Sequence, residues 1–257
     1  MAAKPISVLV TGANRGLGLE MVRQMLETQR PLNMLFACCR DPDGARAEAL
    51  QTLAKTHPEI VKVVRMDMAD LCSIKKSAQQ VGSLLGDKGL NLIINNAAIL
   101  VHSGITDTTP EDMASSFNTN VIGPMSIIQE FLPYLQAAAK DSGLPGMSCR
   151  KAAVVSISST LGSIESTPQS YEHFKTVPYR VSKAALNMLI TCANLELQKD
   201  EILCTLLHPG WVRTDMGGAN AAIEAQESVQ GMLQVMNSMT EKDNGTLQDY
   251  NGQRIPW

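Results

Sequence analysis

Short runs of unbroken apolar residues alternate along this chain with longer stretches in which apolar residues return every three or four positions. The runs at 6–10, 34–39, 61–65, 90–95, 152–157, 202–207 and 246–250 have the length and composition of strands buried on both faces. The periodic stretches at 17–29, 44–56, 73–85, 110–136, 178–199 and 221–239 read as amphipathic helices. Strand and helix alternating from end to end predict a doubly wound, Rossmann-type α/β fold, a seven-stranded parallel sheet with helices on both faces. A length of 257 residues suits one such unit, so the whole chain, 1–257, reads as a single domain. Right-handed crossovers then place a ligand crevice beyond the carboxyl ends of the strands, where the strand order reverses. Residues 140–148 read as a surface loop, and the small-residue stretch 211–227 as a loop beside the crevice, positioned to act as a lid.

The residues able to do chemistry fall at those strand ends. Thr11-Gly12-Ala13-Asn14-Arg15-Gly16-Leu17-Gly18 follows the first strand and opens the first helix. Glycines there let the backbone approach a phosphate whose charge the helix N-terminus stabilises, although the spacing differs from the commoner Gly-x-Gly-x-x-Gly. Asn95-Asn96-Ala97 ends the fourth strand, Asn120 lies within the long fourth helix, and Ser159 follows the fifth strand. Tyr179 and Lys183 stand four residues apart, on one helix face. A phenol with an unperturbed pKa of about 10 is a poor acid at neutral pH unless a cation stands beside it. Lys183 supplies that cation, and the hydroxyls of Ser159 and Tyr179 provide two donors for the oxyanion formed when hydride reaches a carbonyl carbon. In conjunction these parts read as a nicotinamide-dependent carbonyl reductase.

The Tyr-x-x-x-Lys pattern occurs twice, because Tyr171 and Lys175 also fit it and Ser158 precedes them. Pro178 favours the later pair. A helix carrying Tyr171 and Lys175 would have to end at Pro178, whereas Pro178 suits the first turn of a helix carrying Tyr179, Ser182 and Lys183. The choice of Tyr179 implies a short insertion between serine and tyrosine, over the rim of the crevice.

The same motifs resemble the short-chain dehydrogenase/reductase superfamily over essentially the whole chain. Arg40-Asp41-Pro42 and the ending Gly252-x-Arg-Ile-Pro-Trp257 are most similar to carbonyl reductases of the Sniffer and C-factor type. The resemblance implies that Ser159 holds the substrate carbonyl oxygen and Tyr179 is its acid. It implies that Lys183 holds the nicotinamide ribose and lowers the tyrosine pKa, with Asn120 carrying a water-linked proton relay to that lysine. For the cofactor it implies Gly12, Asn14, Arg15, Gly16, Leu17 and Gly18 in the turn and Asp67 with Met68 at the adenine. Asn95, Asn96 and Ala97 would line the crevice, with Ala98 where the family usually has glycine, and Pro209, Gly210, Val212 and Thr214 would meet the nicotinamide. It also implies a homodimer, paired through the outer faces of the helices at 110–136 and 178–199.

The form of the cofactor follows from the end of the second strand. Where NAD-binding domains place an acid for the ribose 2′-hydroxyl this chain has Cys39, followed by Arg40, and Asp41 comes one residue too late. Arg40 and Arg15 can clamp a 2′-phosphate, so NADPH is the expected cofactor and NAD-dependent alcohol oxidation is disfavoured. The expected activity is reduction of small aldehydes, ketones or quinones. The alternative is an NADPH-sensing interaction protein without turnover.

Composition removes other classes. A net charge of −3 gives no basic field for nucleic acid, and 44% hydrophobic with 18% charged residues is ordinary for a soluble protein. No apolar stretch approaches a membrane span, and the 6–10 run is too short for a signal peptide's core. Six cysteines without metal-ligand spacing suit a reducing compartment, so a cytoplasmic protein without a metal is expected. His102, His173 and His208 are scattered and read as surface or loop histidines, while Met232, Met236 and Met239 share a helix face that packs as core or lines the crevice.

Overall fold

The computed structural model describes residues 4–28 and 31–257. All seven expected strands are present: β1 (Ile6–Thr11), β2 (Leu32–Cys39), β3 (Val61–Arg65), β4 (Leu92–Asn95), β5 (Ala153–Ile157), β6 (Leu203–His208) and β7 (Leu247–Asp249). They form one sheet in the order β3-β2-β1-β4-β5-β6-β7, and every pairing is parallel. The order reverses between β1 and β4, so the crevice lies over the ends of those two strands.

Alternate residues along the strands feed two cores. Leu9, Phe36, Ile93, Val154 and Leu206 bury one face of the sheet with Ile74, Phe131, Leu186 and Ile190. Those side chains come from α3 (Leu71–Leu85), α5 (Gly123–Asp141) and α7 (Val177–Leu197). Val8, Val10, Leu35, Ile94 and Leu207 bury the other face with Met21, Leu50 and Met232. These belong to α1 (Gly16–Glu27), α2 (Glu48–Thr56) and α8 (Ala225–Ser238). Met232, Met236 and Met239 all lie in this second core, which decides between the two positions open to them. Cys38 and Cys204 fill the first core as free thiols, and burial pushes both thiol pKa values up, that of Cys204 to about 12.

Helix boundaries depart from the periodicity at several places, among them the second helix, which starts at Glu48 after a 3-10 turn over Ala45–Ala47. The helix expected at 110–136 is two: α4 (Pro110–Phe117), begun by a capping box of Thr109 and Asp112, and α5, which runs on to Asp141. Between them one turn, Asn118–Ile122, is a π-helix. Wider turns of this kind gather at functional sites because they re-aim side chains. The helix expected from 73 starts at Leu71, where Asp70 caps the Cys72 N–H at 2.8 Å, and the last begins at Ala225 instead of 221. The first ends at Glu27; residue 29 lies outside the described residues. The insertion before Pro178 contains a further one-turn helix, α6 (Thr167–Ser170), which its sequence did not announce.

Candidate active site

The glycine turn leaves β1 with Gly12 at φ +65°, a conformation that glycine adopts without strain. A Cβ on Gly18 would overlap the Gly12 carbonyl and come within 2.7 Å of Asn96 Nδ2, so turn and helix approach more closely than any side chain permits. Asn96 holds the turn: its Nδ2 donates to the carbonyls of Thr11 at 2.9 Å and Gly12 at 3.3 Å. Thr11 Oγ1 accepts from the Asn96 and Ala97 N–H groups, both at 3.0 Å. Asn95 is buried and donates to Ser156 Oγ at 3.3 Å, while its Oδ1 has no partner. Helix α1 starts with Arg15 at its N-cap and no side-chain cap, which leaves its first N–H groups available to an anion. Asn14 reaches the Arg46 carbonyl at 3.4 Å, and Leu17 packs on the second core.

The two arginines differ. Arg15 pairs with Asp215 in the loop after β6. Arg40 is exposed at the end of β2, and among the described residues no carboxylate pairs with it. The acids nearby are engaged by Arg65, whose guanidinium lies 2.7 Å from Asp43, 3.9 Å from Asp41 and 3.0 Å from the Arg40 carbonyl. Arg65 was missed in the sequence; its only signal is its place at the end of β3, in register with Cys39. Asp67 Oδ1 accepts the Ala69 N–H at 3.0 Å, and Met68 is buried beside Gly123.

At the end of β5, Ser159 caps a short 3-10 turn, its Oγ accepting the Leu161 N–H at 3.1 Å. Helix α7 begins at Val177 with Pro178 in its first turn, and it presents Tyr179 and Lys183 to the same place. Lys183 Nζ lies 5.5 Å from the centre of the Tyr179 ring and donates to the Ile157 carbonyl at 2.7 Å. Burial pushes the phenol up to about 12 against a smaller opposing pull from the Ser159 hydroxyl, and pushes Lys183 down to about 7. The lowered phenol that the resemblance implied is therefore not found, because in a buried pair desolvation opposes each charge taken singly. Once the phenol has given up its proton, a phenolate and a protonated Lys183 side by side each stabilise the other.

Asn120 sits in the π turn with both ends of its amide committed. Its Oδ1 accepts the Ile99 N–H at 2.9 Å, and its Nδ2 donates to the Ile99 carbonyl and to Ser182 Oγ, each at 2.9 Å. Ser182 in turn donates to the Tyr179 carbonyl at 2.8 Å, so one serine links Asn120 to the turn of α7 that holds Tyr179 and Lys183. The rival set does not assemble. Ser158 donates to Asn187 Oδ1 at 2.6 Å, Tyr171 follows α6 beneath the Arg180 guanidinium, and Lys175 is exposed beside Glu172 at 3.4 Å.

Beyond β6, the Pro209 carbonyl accepts from Ser228 Oγ at 2.6 Å, Gly210 has φ +83°, and buried Val212 bridges to Ile223. Thr214 Cγ2 would lie 3.6 Å from a Cβ on Gly16, so this loop reaches the glycine turn. His208 corrects an expectation: it is the last residue of β6, with Nδ1 buried and unpartnered, and burial pushes the ring down to about 4. His102 and His173 are exposed. Among the described residues no three His, Cys, Asp or Glu side chains converge as metal ligands, and no helix is long and apolar enough to cross a membrane.

A family model described as short chain dehydrogenase matches residues 7–225. The chain belongs to that family. This short-chain dehydrogenase is similar to the NADPH-bound carbonyl reductase from chicken fatty liver, with 44% identity and TM-score 0.94 over 99% of this chain and 100% of that one. It is also similar to carbonyl reductase Sniffer of D. melanogaster, with 33% identity and TM-score 0.92 over 99% and 100% of the two chains. C-signal of Myxococcus xanthus is 34% identical over 169 residues, 65% of this chain and 93% of that protein.

Proposed function

We propose that this chain is an NADPH-dependent reductase of small aldehydes, ketones or quinones with Tyr179 as proton donor. The observation that carries the reading is the burial of Tyr179 and Lys183 together against Ser159, at the strand ends that also hold the glycine turn. The residues present fit a nicotinamide dinucleotide phosphate. The uncapped start of α1 and the side-chain-free cradle of Gly12 and Gly18 suit a diphosphate, and unpaired Arg40 suits a further phosphate on the ribose. The solved chicken and P. aeruginosa carbonyl reductases that resemble this chain are described with NADPH or NADP bound. Asp67 and Met68 would stand at the adenine end, and Asn95, Asn96, Ala97, Pro209, Gly210, Val212 and Thr214 along the crevice.

A nicotinamide bound there supplies hydride to the carbonyl carbon. Ser159 and Tyr179 hydrogen-bond the carbonyl oxygen, and Tyr179 gives its phenolic proton to that oxygen as negative charge builds there. The phenolate so left is stabilised by the Lys183 ammonium and receives a proton back through the Lys183 amine and the polar groups around Asn120. Burial of both groups keeps that charge pair out of water, where it is worth most.

The apolar stripe of Val181, Met188, Cys192 and Leu195 on the outer face of α7, beside Phe117 at the end of α4, is exposed and supports a homodimer through these helices. The buried thiols of Cys38 and Cys204 support a reducing, cytoplasmic setting, and the single sheet with its two cores supports one domain over 1–257. The test is NADPH consumption over a panel of aldehydes, α-dicarbonyls, quinones and ketones. Turnover with several of them that Tyr179→Phe abolishes supports the reading; NADPH binding without turnover on any carbonyl would replace it with the cofactor-sensing alternative.

A further inference from the structure

Arg180 follows Tyr179 in α7 and is only 6% exposed, yet among the described residues no carboxylate pairs with it. Its Nε and Nη2 donate to the Phe174 carbonyl at 3.2 and 3.1 Å, Nη2 also donates to Ser170 Oγ at 3.1 Å, and Nη1 is buried without a partner. The ring of Tyr171 lies 5.5 Å from the guanidinium carbon. Burial of a guanidinium without a counter-charge is costly, and its pKa is held below the usual arginine value for that reason. Packing alone therefore does not account for an arginine here.

All three partners, Ser170, Tyr171 and Phe174, belong to the insertion between Ser159 and Tyr179. That segment has little core of its own: α6 buries no residue, and Ile164 is 76% exposed. Its other ties include the backbone hydrogen bonds of the Glu165 N–H to the Trp257 carbonyl at 3.0 Å and of the Val177 N–H to the Ser103 carbonyl at 2.9 Å. The Phe174 ring meets Trp211 edge-on, at 5.3 Å between centroids and 82° between planes. Trp211 directly follows Pro209-Gly210, so insertion and post-β6 loop close into one aromatic wall beside the candidate site.

We propose that Arg180 is a positioning residue that hangs this wall on the catalytic helix, and thereby sets which carbonyl substrates fit. The inference rests on the reductase reading for its consequence, but its geometry does not. Because Tyr179 and Arg180 are consecutive, the distance from the phenol to the Phe174–Trp211 wall is set within one helical turn. The planar fork holds Phe174 and Ser170 from fixed directions while it lies over the Tyr171 ring, a combination that lysine's flexible point charge does not reproduce and an apolar side chain lacks.

The chain has two tryptophans, and Trp257→Phe leaves Trp211 to report on the wall. In that background, Arg180→Met and Arg180→Lys are compared with the parent by acrylamide quenching of Trp211, by NADPH affinity, and by KM and kcat over carbonyl substrates of increasing size. Expected are a Trp211 that quenches more readily in both variants, more so with methionine, and NADPH affinity close to the parent's. The KM penalty should grow with substrate size to about tenfold, the change that loss of one charge-assisted hydrogen bond produces. Unchanged quenching in both variants overturns the proposal, and so does an equal loss of kcat on all substrates without a size dependence. If Arg180→Met does not fold, the lysine variant decides by the same readouts. Should the parent turn over no carbonyl at all, increased quenching still establishes the brace, and the reductase reading alone falls.

Discussion

The Nζ of Lys183 lies 2.7 Å from the carbonyl oxygen of Ile157, two residues before Ser159, and so ties the helix that carries Tyr179 to the end of the strand that carries the serine. Tyr179→Phe keeps this tie and removes only the phenolic hydroxyl. Turnover should fall by about a hundredfold or more, the usual worth of a positioned general acid, while NADPH still binds. Tyr171→Phe, on the far side of Arg180, should keep the chemical step. Steady-state kinetics with parallel cofactor titrations distinguish them, and a dead Tyr171→Phe beside an active Tyr179→Phe would falsify the assignment.

Among the described residues Arg40 has no competing carboxylate, because Arg65 engages Asp41 and Asp43, whereas Arg15 is shared with Asp215. Arg40→Ala should weaken NADPH binding by about ten- to a hundredfold, at about 1.5–3 kcal/mol for a charge-assisted hydrogen bond, and leave NADH nearly unchanged. Fluorescence titration with both nucleotides is the measurement. Equal losses for the two would remove the 2′-phosphate from the account.

Gly18→Ala would drive a methyl into the Gly12 carbonyl and to 2.7 Å from Asn96 Nδ2, and backbone cannot yield there as a flexible side chain would. The expected cost is about 1–3 kcal/mol in urea unfolding, with a weakened NADPH affinity, because turn and helix start must separate. A variant as stable and as tight as the parent would show that the cradle has slack.

His208 should make the protein acid-sensitive. Its folded pKa is lowered from 6.5 to about 4, chiefly by burial, with Asp249 raising it and Lys183 lowering it. Between those values the unfolded chain binds the extra proton, so stability is full above pH of about 6.5 and falls as pH drops toward about 4, by up to about 3 kcal/mol. His208→Gln should flatten that part of the stability profile. An unaltered slope would mean that other groups set it.

Met188, 65% exposed on α7 between Val181 and Leu195, is the place to test pairing. Light scattering of the parent should give twice the chain mass at micromolar concentration, and Met188→Glu should give a monomer of unchanged fold by circular dichroism. A monomeric parent would remove the dimer from the reading.

Much of this protein is local in origin and was legible residue by residue. Apolar runs long enough for strands, separated by helical periods, set the seven-stranded parallel sheet, and Pro178 marked the start of α7, the helix that carries Tyr179 and Lys183. The glycines at 12 and 18 announced a backbone approach that the structure realises. Each of these depends on a residue's own conformational preferences and those of its immediate neighbours.

What the tertiary structure decided concerns partners distant in sequence. Arg15 meets Asp215 and Arg65 reaches Asp43, while His208 is a half-buried strand-end residue with a buried Nδ1 instead of a loop histidine. The break of the fourth helix at Asn118–Ile122 aims Asn120 at Ile99 and Ser182, which no periodicity foretells. The phenol of Tyr179 is raised by burial where the nearby lysine suggested lowering, because charge energies depend on how much water is excluded around a pair, and exclusion belongs to the packed whole.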